Sequence, residues 1–500
     1  MNPLAKLAQE TAVYGLSSII GRLLNYFLVP LYTRIFLPNE YGIVTELYAY
    51  ASFLMILLTF GMETTFFRFS ESGDEKDRVY ATSIIPIIAV NLFFIILGII
   101  CSPWLAERLH YGQHAEYLIY FVVIVGLDAI TAIPFARLRQ QHKAFRFAAF
   151  KLIIISINIA LNLFFLLLCP YLVNSGFNWI LMIYDPVFGV GYVFLSNMIA
   201  SAAGVALLFG DIFRLKAAFD KELFRKMFFY TMPLLLAGLA GMINETLDRI
   251  LLRYLLVVPK GTSDPHGFVM SQIGVYGANY KLSILMTLFI QTFRYAAEPF
   301  FFSHSKETDS RQLYSKVMTW FVLFGLTIFL GIVLYIDLIK YFIGSEFHSG
   351  IGIVPILLFA NLCLGVIFNL SIWYKLNNMT RFGAYIAIFG ALVTIAANYA
   401  LIPFMGYYGA AWATLICYFL MMLLSYFWGQ KYFHINYDLG KITGYTALAL
   451  SLYVLARLWN LPSLGLRLTM NSLLLASFIA FALYKEKLIH SLIKKRFECS

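Results

Sequence analysis

The chain has 500 residues, 61% of them hydrophobic and 13% charged, with a formal net charge of +11 and a mean hydropathy of +0.78. That balance excludes an ordinary soluble globule, and the placement of the cations excludes nucleic acid as their purpose. Apolar stretches of roughly 18–25 residues recur from end to end, the length needed to cross a hydrocarbon core of about 30 Å.

In chain order, spans are predicted over residues 10–34, 43–66, 80–102, 117–136, 148–169, 187–209, 228–256, 273–298, 315–336, 351–373, 382–402, 408–428, 441–458 and 466–484, fourteen in all. Residues 171–186 are a candidate interfacial segment. The opening MNPLAKLAQE runs into a span too long for a signal-peptide core and lacks a cleavage site, so it is expected to be retained. The largest connections, 67–80, 137–147, 210–227, 257–272 and 299–314, are too short for a soluble domain. Whatever the chain does is expected to happen between its helices.

Charge placement orients it. With the N-terminus inside, the cytoplasmic loops hold Arg68, Lys76, Arg78, Arg137, Arg139, Lys143, Arg146, Lys151, Lys306 and others, and the tail adds Lys485, Lys487, Lys494, Lys495 and Arg496. The opposite loops offer only Arg34, Arg108, Lys260, Lys340, Arg457 and Arg467. This is the positive-inside asymmetry, and it predicts that both termini are cytoplasmic. Cys101, Cys169, Cys363, Cys417 and Cys499 have no disulfide or metal spacing and read as small core hydrophobes. The eight histidines, His110 to His490, likewise lack ligand spacing. No P-loop, dinucleotide fingerprint, nucleophile elbow or HExxH occurs, so neither nucleotide nor hydrolytic chemistry is expected.

Two halves echo each other. The first span leads through Glu40-Tyr41-Gly42 into the second, and the seventh leads through Val275-Tyr276-Gly277 into the eighth. Asn158 and Asn162 in the fifth span correspond to Asn398 in the eleventh, each followed by a Gly-rich entry to the next helix. Six spans per half give two lobes of like orientation, the usual build of a secondary transporter. The expected domains are a six-helix lobe over 1–212, a second over 213–432, and a helix pair with a basic tail over 433–500. The fold class is all-α and polytopic.

Arg22 lies near the middle of the first span, and Glu245, Asp248, Arg249, Arg253, Lys281 and Arg294 fall in the seventh and eighth. A charge at a helix centre costs about 2.5–3.5 kcal/mol on insertion scales, so such residues rarely face lipid. Arg22, Arg249, Lys281 and Arg294 would line a watered central cleft that receives an anion, or would pair with Glu245, Asp248, Asp128 or Glu298 to hold helices together. Glu245 and Arg249 are four apart on one helix face, a spacing that suits a local ion pair. Asp248 with Thr394, Asn398 and Thr414 would form an oxygen-lined site for Na⁺ or a proton, the bland alternative being interhelical hydrogen bonding. Asp128, alone in the fourth span, is either a proton relay or a helix–helix hydrogen bond. Glu63 reads as a solvated acid near the cytoplasmic end.

LPNEYGIVTELYAYASFLMILLTFGMETTFFRFS, PLLLAGLAGMINETLDRILL, IGVYGANYKLSIL and LIPFMGYYGAAWATLICY, in that order, resemble the second, seventh, eighth and eleventh-to-twelfth spans of Wzx-type bacterial polysaccharide flippases. These belong to the multidrug/oligosaccharidyl-lipid/polysaccharide exporter superfamily, and the similarity covers most of residues 1–430. It implies export across the inner membrane of an oligosaccharide on a polyprenyl diphosphate. It also implies a cationic cavity, since the related lipid II flippases use Arg residues of spans 1, 2 and 8; here span 2 offers no Arg before Arg68. Those flippases bind sodium with spans 7, 11 and 12, which matches Asp248, Asn398 and Thr414 as the possible Na⁺ site.

The expected function is ion-coupled alternating access carrying a polyprenyl-diphosphate oligosaccharide from the cytoplasmic to the periplasmic leaflet, with no catalysis and no cofactor beyond Na⁺ or H⁺. Expected partners are that lipid, the membrane and the polysaccharide assembly machinery. A cation-coupled drug antiporter is the alternative, disfavoured by the excess of Arg and Lys. A membrane polymerase or ligase would need a larger periplasmic loop than 171–186 or 257–272 supplies.

Overall fold

The computed structural model describes residues 19–71, 75–112, 114–304, 309–459 and 463–486. The start of the first span, Lys306, His490, Cys499 and the tail cations Lys487, Lys494, Lys495 and Arg496 lie outside them. Among the described residues every regular element is helical. This follows from the composition, because a chain immersed in hydrocarbon must satisfy its backbone within each segment.

Helical residues 19–26 lead to α1 (Leu28–Ile35), α2 (Pro38–Thr59), α3 (Met62–Glu71), α4 (Lys76–Arg108), α5 (Ala115–Gln140), α6 (Ala144–Leu163), α7 (Cys169–Asn174), α8 (Gly191–Leu207), α9 (Phe209–Phe213), α10 (Lys221–Leu255) and α11 (Pro265–Leu282). Then come α12 (Ile284–Ser303), α13 (Ser310–Val333), α14 (Ile336–Ile339), α15 (Val354–Leu370), α16 (Ile372–Leu376), α17 (Arg381–Met405), α18 (Tyr407–Tyr432), α19 (Leu439–Leu458) and α20 (Leu464–Lys485). Eleven helices among the described residues are long and apolar enough to cross a membrane, or twelve if the bent pair α11 and α12 is one span. Fourteen were expected. The first is described only in part, and the sixth is the 17-residue α8, a residue short of a full crossing by length.

The chain divides into two compact units, Met1–Gly277 and Ala278–Ser500. In the first, α5 packs against α4 and α8, α6 against α8, and α2 against α10. The second span is broken between α2 and α3, where Phe60 and Gly61 take left-handed backbone conformations. The carbonyl that the break frees, that of Phe60, accepts the Thr231 hydroxyl at 2.8 Å. In the second unit, α15, α17 and α18 form one packed group. The C-terminal pair leans on α13 and its end: Asn471 donates to the Leu334 carbonyl at 2.6 Å, and Arg467 pairs with Asp337 at 3.0 Å.

Candidate functional site

Three polar constellations lie within the first unit. Glu46 of α2 is fully buried, and its carboxylate takes the Arg253 guanidinium of α10 at 2.5 and 2.6 Å and the Tyr111 hydroxyl at 2.5 Å. Arg253 also donates to the Leu109 carbonyl at 2.6 Å. With its oxygens and guanidinium both engaged, this buried pair is fully hydrogen-bonded, the condition for tolerating charges in a low dielectric. Nearby, Tyr50 and Tyr254 share a hydrogen bond at 3.0 Å. Of these two spans, α2 meets α11 at backbone distance: a Cβ at Gly42 would lie 2.0 Å from the Met270 carbonyl oxygen, and one at Gly274 only 1.9 Å from that of Pro38, while one at Gly277 would meet the Thr45 side chain. Gly42 and Gly277, the glycines of the two Tyr-Gly pairs, therefore both lie where α2 and α11 touch.

The second constellation surrounds Asp248. Its carboxylate accepts the Tyr276 hydroxyl and the Arg249 amide (2.8 Å), with the Arg249 guanidinium 3.5 Å away. Arg249 also donates to the backbone carbonyl of Glu245 at 2.9 Å, whereas the Glu245 side chain is exposed. So the contact expected between Glu245 and Arg249 includes a main-chain acceptor, and the acid paired with Arg249 is Asp248.

The third is a cavity of about 520 Å³. Charged groups reach it from three helices: Glu63 of α3, Asp128 and Arg139 of α5, and Lys151 of α6. Asn25, Asn158, Asn197, Thr131 and Ser201 add neutral polar groups. Glu63 and Arg139 form an ion pair, and the Glu63 side chain, 45% exposed, keeps the solvent access expected of it. Lys151, counted with the cytoplasmic loops although the span expected over 148–169 contains it, lies two turns inside α6 with its ammonium 4.0 Å from the Phe135 ring centroid. The helix begins at Ala144, four residues before that expected span. Arg22, on the helical segment that also carries Asn25 to this cavity, is exposed and has no ion pair among the described residues. Neighbouring Gly21 packs on Ile155 of α6.

At the helix ends beyond the cavity, several cations that read as free loop charges are paired: Arg137 with Asp77, Arg78 with Asp220 and Glu75, and Arg146 with Asp211 at 2.7 Å. Asp220 caps α10, accepting from the Leu223 and Glu222 amides, and those bonds together with Arg78 hold its carboxyl below the usual carboxylate range.

In the second unit, Arg294 pairs with Glu298 at 3.0 Å, its guanidinium carbon lying 4.9 Å from the Phe368 ring centroid, and Lys375 joins the same carboxylate at 2.6 Å. Lys281 is half-buried, one residue before the end of α11. Thr394 and Asn398 of α17 and Thr414 of α18 are all buried, on two helices that pack together. Asn398 donates to the Thr394 carbonyl at 2.7 Å, as Asn162 does to that of Asn158 at 2.8 Å, so the echo between the halves is one of local bonding too. The Asn398 side-chain oxygen is buried with no hydrogen-bond partner among the described residues. Groups of three or more His, Cys, Asp or Glu able to hold a metal are absent among those residues.

Residues 7–305, more than half of the chain, match the model of the polysaccharide biosynthesis protein family. The chain belongs to that family. Among solved structures it is similar to the lipid II flippase MurJ in an inward closed conformation, with a TM-score of 0.68 at 15% identity over 95% of this chain and 99% of that one. An inward-facing multidrug resistance MATE family transporter of the MOP superfamily gives 0.63 at 13% identity, covering 82% and 94%. A MOP superfamily transporter from Pyrococcus furiosus gives 0.53 at 12%, covering 84% and 95%. No curated protein sequence matches significantly. The fold is that of these solved transporters.

Glu46 and Lys151 were the functional candidates missed from sequence. Glu46 satisfied the criterion applied to Arg22, a charge inside an apolar span, and its partner Arg253 lies 207 residues away.

Proposed function

We propose that the protein is a flippase that moves a polyprenyl-diphosphate-linked oligosaccharide from the cytoplasmic to the periplasmic leaflet of a bacterial inner membrane by ion-coupled alternating access. The observation that carries this reading is Arg22: a cation within the apolar first span, exposed and without an ion pair among the described residues. A guanidinium at that depth must face water or an anion, and its planar fork suits phosphate oxygens. Arg249 and Arg294 already face acids, so they join substrate only by exchanging those partners; Lys281 extends the cationic set. Family membership and the resemblance to a lipid II flippase favour a lipid-linked sugar as cargo.

For a coupling Na⁺, the second unit supplies the better oxygen ligands. Asn398 offers a buried oxygen with no hydrogen-bond partner among the described residues, one turn from Thr394, whereas the Asp248 oxygens are held by Tyr276 and Arg249. Replacing sodium with choline is expected to slow export by the wild type and to have little further effect on Asn398→Ala. Equal sodium dependence in both would remove Asn398 from the coupling site.

Native mass spectrometry of the purified protein tests the substrate class. A copurifying polyprenyl-diphosphate sugar, diminished at least tenfold in Arg22→Ala, is the expected result. Phospholipid alone in both samples would contradict it. Drug susceptibility of a deletion strain should be unchanged, which separates this reading from an antiporter of the same fold.

A further inference from the structure

We propose that Asp128 and Lys151 form the proton-binding centre of this transporter, a titrating acid and its tethered counter-charge enclosed in the cavity of the first unit. The inference deepens the flippase reading and rests on it for its purpose, but the centre itself is argued from the first unit alone.

Position comes first. Asp128 is at the centre of the 26-residue α5, about equally far from either end, so its carboxyl sits where bulk water is remote. The cavity it lines, about 520 Å³, is large enough for many water molecules, and its amide and hydroxyl groups give them partners. Asp128 therefore faces a polar space inside the unit and not close-packed side chains alone.

Charge comes second. The charged groups facing Asp128 are Glu63 from α3, Arg139 from its own helix, and Lys151 from α6. The elements that complete the wall bring only neutral side chains: Asn25 from the first helical segment, Met55 from α2, and Asn197, Ser201 and Gly204 from α8. Glu63 and Arg139 pair with each other, and Arg139 also lies over the Phe67 ring at 5.1 Å. That leaves one acid and one base. No contact ion pair joins Asp128 to Lys151 among the described residues; the ammonium stands over Phe135 instead, a cation–π contact that holds it without neutralising the acid.

A carboxylate engaged as Glu46 is, by a guanidinium and a hydroxyl, has no room to change charge, whereas Asp128 has one hydroxyl partner, Ser201, and Lys151 as its nearby cation, with the Tyr48 phenol of α2, held by Asn197, as the titratable neighbour on the remaining side. Protonation leaves Lys151 as the uncompensated charge in the cavity. The ammonium then gains by moving toward water at the end of α6, and α6 is the helix on which the Arg22 segment packs through Gly21 and Ile155. The centre is thus joined, through one packed helix, to the residue proposed to meet substrate.

Infrared difference spectra of the full-length protein in phosphatidylethanolamine–phosphatidylglycerol vesicles, recorded between neutral and acid pH, test proton binding without any substrate. A carboxyl band is expected that disappears in Asp128→Asn, moves to a different pH in Lys151→Met, and persists in Glu63→Gln. Export by Asp128→Asn should fall at least tenfold while the copurifying lipid is retained. A difference spectrum of Asp128→Asn that superimposes on the wild type would overturn the proposal. Loss of the band with unchanged export would confine Asp128 to a structural titration and also overturn it as the coupling group. Neither outcome depends on Arg22, so failure here is distinguishable from failure of the substrate assignment.

Discussion

Glu46 and Arg253 illustrate how the same interaction reads differently by residue and by pair. Removing one partner strands a charge in the interior and is expected to cost about 3–5 kcal/mol, so Glu46→Gln or Arg253→Met should lower the melting temperature sharply. The double variant should recover part of that loss, because no isolated charge remains; a double variant as unstable as the sum of both would contradict the pairing. Arg22→Ala should leave melting unchanged, since its side chain is exposed and has no ion pair among the described residues. Asp220 contributes through its charge. A carboxyl held below its ordinary range stabilises the fold at neutral pH and loses that contribution as pH falls below about 4. Asp220→Asn keeps the capping oxygen and should flatten the acid limb of a melting-temperature profile against pH; an unaltered limb would show that the charge is immaterial.

At the scale of elements, the contact of α2 with α11 depends on two hydrogen atoms standing where methyl groups would be. Gly42→Ala or Gly274→Ala forces a carbon to within about 2 Å of a backbone carbonyl, so the helices must separate. Overpacking of this kind costs about 1–3 kcal/mol, read as a lower melting temperature, whereas Gly241→Ala, with open space around it, should be neutral. Equal stability of all three would refute the close contact. The Tyr-Gly pairs were visible in the sequence as an echo between halves, yet their purpose was not, because pairing of α2 with α11 is a long-range fact that local patterns do not encode. The grouping of Lys151 with Asp128, and of Glu63 with Arg139, was hidden for a related reason. Hydropathy marks where a span is apolar, but it does not say which helices stand side by side, and α5 carries Arg139 past its apolar limit to meet Glu63. Spans with unbroken apolar runs, such as α13, α15 and α18, were legible in place and order, with ends off by one to five residues, because length and composition alone decide them.

For the whole molecule, composition was enough to require a polytopic helical membrane protein, and ordered short motifs were enough to suggest the family that residues 7–305 match. Chemistry was less accessible. Charges inside spans announce that something polar happens there, but only the fold separates those held by an ion pair, such as Arg253 and Arg294, from Arg22, which has none among the described residues. The central claim is that Arg22 meets the diphosphate of a lipid-linked sugar during translocation. Leaflet-resolved labelling of that lipid in cells producing Arg22→Ala at wild-type levels addresses it most directly. The account predicts accumulation on the inner leaflet and at least a tenfold loss from the outer one, while an outer-leaflet signal equal to the wild type would contradict it.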